Sequence, residues 1–302
     1  MLEFSYMDLD ELIKEGKYEE ALKEIKGNDE DSKLLRGYLL YKLNRCDEAL
    51  KEIEGISRIE TYYIKFECYK LLNKKEEAVK TLEEGINRFP SSHMLYYMLS
   101  QYYYEVGELD KALEYIDKAL EILPISYDYK FLKAKILFAK GDYENSLVYL
   151  SDIVSLNPKN VEARLMKAMC YYNSGLKMDA LAEINRALDI DKNNWYLHFL
   201  KGKIYLETQY YKLALAEFKI ALRLNPTADM YYHTALAYYL LNLYQDAEMF
   251  IDKAISMEEK GIYYALKARI LKGLGDLAKA KEYAKKAISL DPDTRKELED
   301  LI

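Results

Sequence analysis

The sequence predicts an all-α chain built of repeated helix pairs, and three observations carry that expectation. Proline and glycine are scarce, 5 and 12 among 302 residues, so little of the chain can be irregular loop. The five prolines, Pro90, Pro124, Pro158, Pro226 and Pro292, are spaced by 34, 34, 68 and 66 residues; a recurring interval of 33 or 34 marks a repeat array. Segments such as ALEYIDKALEIL place apolar residues at i, i+3, i+4 and i+7, the stripe of an amphipathic helix.

Each unit can be numbered so that the proline falls at position 32 and the small residue twelve before it at position 20. Position 20 then holds Ala78, Ala112, Ser146, Ala180, Ala214, Ala247 and Ala280. Position 8 holds Ala134, Ala168, Gly202, Ala235 and Ala268, and position 27 holds Ala119, Ala187, Ala221, Ala254 and Ala287. Small residues there let two helix backbones approach closely. Position 11, mostly Tyr, fills the space beside them. Gly107, Gly141, Gly175 and Gly275 stand at position 15, where a first helix ends and a left-handed residue is wanted. Proline at position 32 ends the second helix.

This pattern of small residues and an aromatic resembles the tetratricopeptide repeat, two helices per 34 residues, and the resemblance covers essentially the whole chain. It implies a right-handed superhelical solenoid of about nine helix-turn-helix units. Ala21, Ala49 and Ala78 lie only 28 and 29 residues apart, so the first two units are expected to be shortened and degenerate, with Gly27 and Gly55 cutting their second helices. The expected organisation is one solenoid over 1–302. Shortened repeats occupy 1–58 and seven full repeats 59–292. A capping helix over 293–302 turns Leu298, Leu301 and Ile302 to one face.

Composition narrows the function. The net charge of −7 and pI near 5.3 argue against nucleic acid, which needs a basic face. Cys46, Cys68 and Cys170 form no disulfide framework or metal spacing. The acidic start MLEFSYMDLDELIKEGK lacks the order of a signal peptide, and no apolar run is long enough to span a membrane. A cytoplasmic protein with no membrane contact is expected, and the abundance of Lys, Glu, Ile and Tyr is thermophile-like. His93, His198 and His233 share no metal-ligand spacing, and no phosphate-binding glycine motif occurs. Neither catalytic residue, metal nor cofactor is expected. Cys46, at a second-helix start, is expected to be more exposed than Cys68 and Cys170. The many carboxylates read as a solvated surface. The position-7 lysines Lys65, Lys133, Lys167, Lys201 and Lys267 read as structural.

The resemblance implies that positions 2, 5, 9, 12 and 13 of each first helix face a concave surface. Two rows of rings fall there, and the candidate peptide-binding groove comprises Tyr63, Tyr97, Tyr104, Phe131, Lys135, Phe138, Tyr172, Phe199, Lys203, Tyr232 and Tyr239. Rings bury large areas and make binding hot spots; Lys135 and Lys203 would orient acidic groups. Seven acidic and five basic residues occupy these positions, so apolar contact should outweigh steering. The lysine and asparagine clamp by which some members grip chaperone tails is absent. The expected function is a non-enzymatic scaffold for a peptide or helix of a protein partner. The alternative is a self-associating array, a homo-oligomer, or an accessory subunit; in that case the rings pack between protomers.

Overall fold

The computed structural model describes residues 9–302; the reading of Met1–Asp8 as no part of a signal peptide lies outside the described residues. Two compact units divide the chain, Met1–Asn145 and Ser146–Ile302. In the first unit the helices are α1 (Leu9–Lys14), α2 (Tyr18–Glu24), α3 (Glu30–Lys42), α4 (Cys46–Glu52), α5 (Ile59–Leu71), α6 (Lys75–Arg88), α7 (His93–Glu105), α8 (Leu109–Ile122) and α9 (Tyr127–Ala139), followed by the start of α10 (Tyr143–Leu156). The second unit continues with α11 (Val161–Asn173), α12 (Lys177–Ile190), α13 (Trp195–Glu207), α14 (Tyr211–Leu224), α15 (Ala228–Leu240), α16 (Tyr244–Met257), α17 (Gly261–Gly273) and α18 (Leu277–Leu290). A 3-10 helix, Pro292–Leu301, ends it. No strand occurs among the described residues. Within each unit consecutive helices pack as antiparallel partners, α7 on α8 and α17 on α18 among them.

Single residues set the helix ends. Pro90, Pro124, Pro158, Pro226 and Pro292 each stand two residues beyond the last residue of a second helix. At position 15 the backbone turns left-handed in every full repeat: φ is +82° at Gly107 and +88° at Gly275. Asn73, Gln209 and Asn242 take the same conformation, with φ of 56–64°, a strained one for a side-chain-bearing residue. The Gly107 and Glu108 amides donate back to Tyr104 and Tyr103 carbonyls, which satisfies carbonyls the helix end would leave orphaned. Several first helices begin on side-chain caps such as Asn160, whose Oδ1 accepts from the Ala163 amide at 2.9 Å.

The small columns are the seams. Ala112, Ala119, Ala168, Ala187, Ala235 and Ala254 have no solvent exposure. At position 8 Gly202 makes room for a ring: a Cβ there would lie 2.6 Å from Phe218. The second helices α2 and α4 have seven residues each, against fourteen in α6. Gly55 has φ of +78°, but Gly27 does not turn left-handed; α2 stops earlier, at Glu24, and the Gly27 carbonyl accepts from Arg36 instead. Pro292–Leu301 form a 3-10 helix, one residue earlier than the expected cap over 293–302. Leu298 and Leu301 enter the core beside Tyr264, Ala268 and Leu271, while Ile302 is half exposed rather than sharing their face.

Two expectations about polar and thiol groups are corrected. Cys46 is buried like Cys68 and Cys170, because the short α4 lays its first turn against Ile64 and Cys68 of the next first helix. The carboxylates are not uniformly solvated. Glu183 is 2% exposed and receives Arg164 at 3.0 Å, Arg186 at 2.6 Å and Lys167 at 3.5 Å. Among the described residues no helix is long and apolar enough to cross a membrane.

Candidate functional site

All eleven candidate groove residues are partly buried. In the first unit, Tyr97 on α7 stacks on Tyr129 of α9, ring centres 4.5 Å apart and planes 25° apart. Gln101 Nε2 donates to the Tyr97 hydroxyl at 2.9 Å, and the Tyr129 hydroxyl lies 2.6 Å from His93 Nδ1. Burial pushes both phenols above the ordinary tyrosine range, with the Asp128 charge adding to it. Tyr63 meets Tyr41 edge-on at 6.2 Å. Tyr104 packs beside the core of α5 to α9. Lys135 holds its ammonium 4.4 Å from the Phe131 ring centre, and Phe138 packs against Tyr143 at 5.5 Å. A separate hollow of about 410 Å³ opens between α3, α5 and α7, floored by Leu34, Tyr38, Tyr63, Ile64 and Met94.

In the second unit, Lys203 on α13 lies 5.4 Å from the Tyr172 ring centre and 5.9 Å from that of Phe199. The Tyr172 hydroxyl donates to Glu207. Burial, then this bond, pushes Tyr172 up to about 12. Burial alone would raise the Glu207 carboxyl, but bonds from Tyr172 and Lys177 hold it below its ordinary value. Tyr232 on α15 stacks on Tyr263 of α17 at 5.2 Å and 30° and is pushed up to about 12 by burial and by Glu297 and Asp229. Tyr263 donates to Asp229, which Lys260 Nζ also approaches at 3.3 Å; these bonds depress the Asp229 carboxyl, the tyrosine bond most. Tyr239 packs on Tyr244 at 5.9 Å. His233 presents its ring edge-on to Phe199 at 4.8 Å, and burial lowers its basicity.

A rule emerges from the two stacked pairs. A ring at position 5 lies flat on a ring at position 3 of the next first helix, as in Tyr97–Tyr129 and Tyr232–Tyr263. Part of each ring is therefore committed to joining repeats. In the second unit the remaining surface of Tyr232 and Tyr263 lines a trough. Two hollows, of about 400 and 190 Å³, share Tyr232, Leu236 and Ile262. The larger runs past Lys203, Leu206 and His233; the smaller reaches Tyr239 and Arg269 and is closed by Glu297 and Leu298 of the 3-10 helix. Lys203, Tyr232 and Tyr239 are thus brought to one trough, while Tyr172 and Phe199 support Lys203 at its edge.

Sequence reasoning missed His233, Tyr263 and Glu297 in this trough. Ile262 and Asp229 stand at position 2, already assigned to the concave face, but neither carried a distinctive signal alone. Four of the lysines at position 7 reach second-helix carboxylates: Lys133 to Asp117 at 2.7 Å, Lys167 to Glu183 at 3.5 Å, Lys201 to Glu217 at 3.1 Å and Lys267 to Asp252 at 2.5 Å. His198 Nδ1 lies 2.6 Å from Glu217, and its Nε2 lies 3.0 Å from the Lys192 carbonyl. Among the described residues no group of three or more His, Cys, Asp and Glu side chains could hold a metal ion. The trough offers apolar floor, phenol hydroxyls and mixed charge, which is the chemistry of a binding surface.

Comparison with known proteins places this arrangement. Tetratricopeptide repeat models match residues 137–204, 199–261 and 262–294. A model of the auxiliary subunit of N-terminal acetyltransferase A matches residues 61–148. No curated protein matches the sequence. Among solved structures, a tetratricopeptide repeat protein from Parabacteroides merdae is 19% identical, over 80% of this chain and 98% of its own, with a TM-score of 0.62. The C-terminal part of a repeat protein from Cytophaga hutchinsonii is 16% identical, over 72% and 95%, with a TM-score of 0.61. PilF of Pseudomonas aeruginosa is 19% identical, over 69% and 96%, with a TM-score of 0.59. These identities speak for the fold alone. With repeat models tiling its C-terminal half and the same seams, turns and helix pairs from α5 to α18, the chain belongs to the tetratricopeptide repeat proteins.

Proposed function

We propose that the chain is a non-enzymatic interaction scaffold that holds a peptide or helix of a partner protein against its first-helix face. The observation that carries this reading is the trough of the second unit. Ile262 is 43% exposed there beside the half-buried Tyr232 and Tyr239. An exposed apolar side chain flanked by amphipathic rings is what a hot spot requires before its partner arrives. The test is recovery of partners from native lysate by the full chain and by a Tyr172→Ala, Tyr239→Ala, Ile262→Ser variant with unchanged helicity. Loss of specific partners supports the groove; identical recovery refutes it.

A second reading has its own observation. Residues 61–148 match the auxiliary-subunit model, which favours the first unit as the accessory subunit of a catalytic partner. Cross-linking and size-exclusion of the native complex decide between them. A stoichiometric enzyme partner bound through the first unit supports the accessory role, and a concentration-dependent homo-oligomer in its place supports the self-associating array.

A further inference from the structure

Most charges that line the second unit's trough already have partners. Glu207 receives the Tyr172 hydroxyl and Lys177 at 3.0 Å. Asp229 receives Tyr263 and Lys260, and Arg269 is joined to Asp300 at 2.8 Å. Two groups differ. Among the described residues, Lys203 makes no ion pair; its ammonium rests against the Tyr172 and Phe199 rings. Glu297, exposed on the 3-10 helix, likewise makes none. The two stand at opposite ends. Lys203 lines the larger hollow only and Glu297 the smaller only, with Tyr232, Leu236 and Ile262 common to both.

From this arrangement we infer that the trough takes a peptide segment of ordered charge: a carboxylate at Lys203, an apolar side chain over Ile262, and a cation at Glu297. The inference rests on the peptide-groove reading above. Both ends are held in place before a ligand comes. The Lys203 ammonium rests against the Tyr172 and Phe199 rings, which reduces the side-chain freedom left to lose on binding. Glu297 rides on a helix anchored by Leu298 and Leu301, both essentially buried, and by Asp300 bonded to Arg269 and Lys272. It is near enough to Tyr232 to help raise that phenol. A ligand with the reverse order would set like charges together at both ends.

Phage-displayed random peptides panned on the full chain at low salt, with the enriched sequence then made as a fluorescein-labelled probe for anisotropy, test this. The expected consensus carries an acidic residue on one side of an apolar anchor and a basic residue on the other. Lys203→Glu should weaken the probe by about fivefold, since an exposed pair is worth up to about that factor and reversal sets a repulsion in its place; a probe with its acidic residue changed to lysine should recover it. Glu297→Lys should do the same at the basic end, and added salt should shrink both effects. Lys203→Met, which keeps an unbranched apolar side chain of similar length beside the rings, separates charge from packing. If enriched peptides lose binding on Ile262→Asp but show no charge order, or ignore both reversals, ordered charge is overturned and the groove stands. If nothing is enriched, or enriched peptides ignore Ile262→Asp, the groove reading falls and this inference with it.

Discussion

Removing the Glu183 carboxylate should destabilise the second unit strongly, and replacing the whole ionic contact by rings should not. Glu183 stands at position 23 of its repeat and meets Arg164 at position 4. Elsewhere the same two positions hold rings: Tyr96 with Tyr115 at 6.4 Å, Tyr231 with Phe250 at 6.1 Å, and Tyr264 with Tyr283 at 5.9 Å. Glu183→Ala leaves Arg164 and Lys167, 13% and 14% exposed, without their carboxylate. Breaking one side of a buried pair costs about 3–5 kcal/mol. Arg164→Tyr with Glu183→Phe rebuilds the neighbour's contact, and Tyr171 already stands where Tyr238 flanks Phe250 at 5.2 Å. Lys167 also has a precedent, since Lys267 lies 4.5 Å from the Tyr283 ring centre. The double variant should come within about 1 kcal/mol of the parent, because apolar replacement of a buried ion pair is often neutral or better. Urea unfolding followed by circular dichroism measures this, with hydrogen exchange of α11 and α12 to locate the loss, since repeat arrays can open in parts. A single variant costing under about 1 kcal/mol, or a double variant as unstable as the single, refutes the exchangeable contact.

Gln209→Gly should stabilise the protein by about 0.5–1 kcal/mol, the left-handed penalty relieved less the entropy glycine adds; its φ is +64°, and a shift of the urea midpoint reports it. Gly202→Ala should destabilise by about 1–3 kcal/mol through overpacking against Phe218, read in the same assay. The phenols of Tyr172 and Tyr232, raised to about 12, favour the folded state. That stability is complete below the ordinary phenol range near 10 and is lost as pH rises toward 12; the ultraviolet titration of tyrosinate should show a late class that loses the amplitude of two phenols in Tyr172→Phe, Tyr232→Phe, while Tyr263 stays in it. Asp229 works in the opposite direction. Its carboxyl is depressed, so it contributes above its ordinary value of 3.8 and loses that contribution as pH falls below it, and the stability gap to Asp229→Asn should close on acidification.

What the sequence made legible divides along a physical line. Proline and glycine act alone: a missing amide or a missing Cβ decides a helix end whatever surrounds it, so the repeat punctuation could be read directly. Gln209 escaped because the turn imposes the same φ on a residue whose type does not announce it. Glu183 escaped because burial of a carboxylate depends on cations brought together by folding, Arg164 from the facing helix and Arg186 one turn along its own. The ring rows show the same limit at the candidate site. Position 5 names the face, but position 3 of the following first helix decides how much of the ring remains over it. Tyr232 gives one face to Tyr263, whereas Phe199, followed by Met230 at position 3, turns to His233 and Phe218. A ring column in one repeat therefore identifies a binding surface only when read against the next repeat. By that reading the apolar contact that the trough offers centres on Ile262, the exposed aliphatic residue between the committed rings.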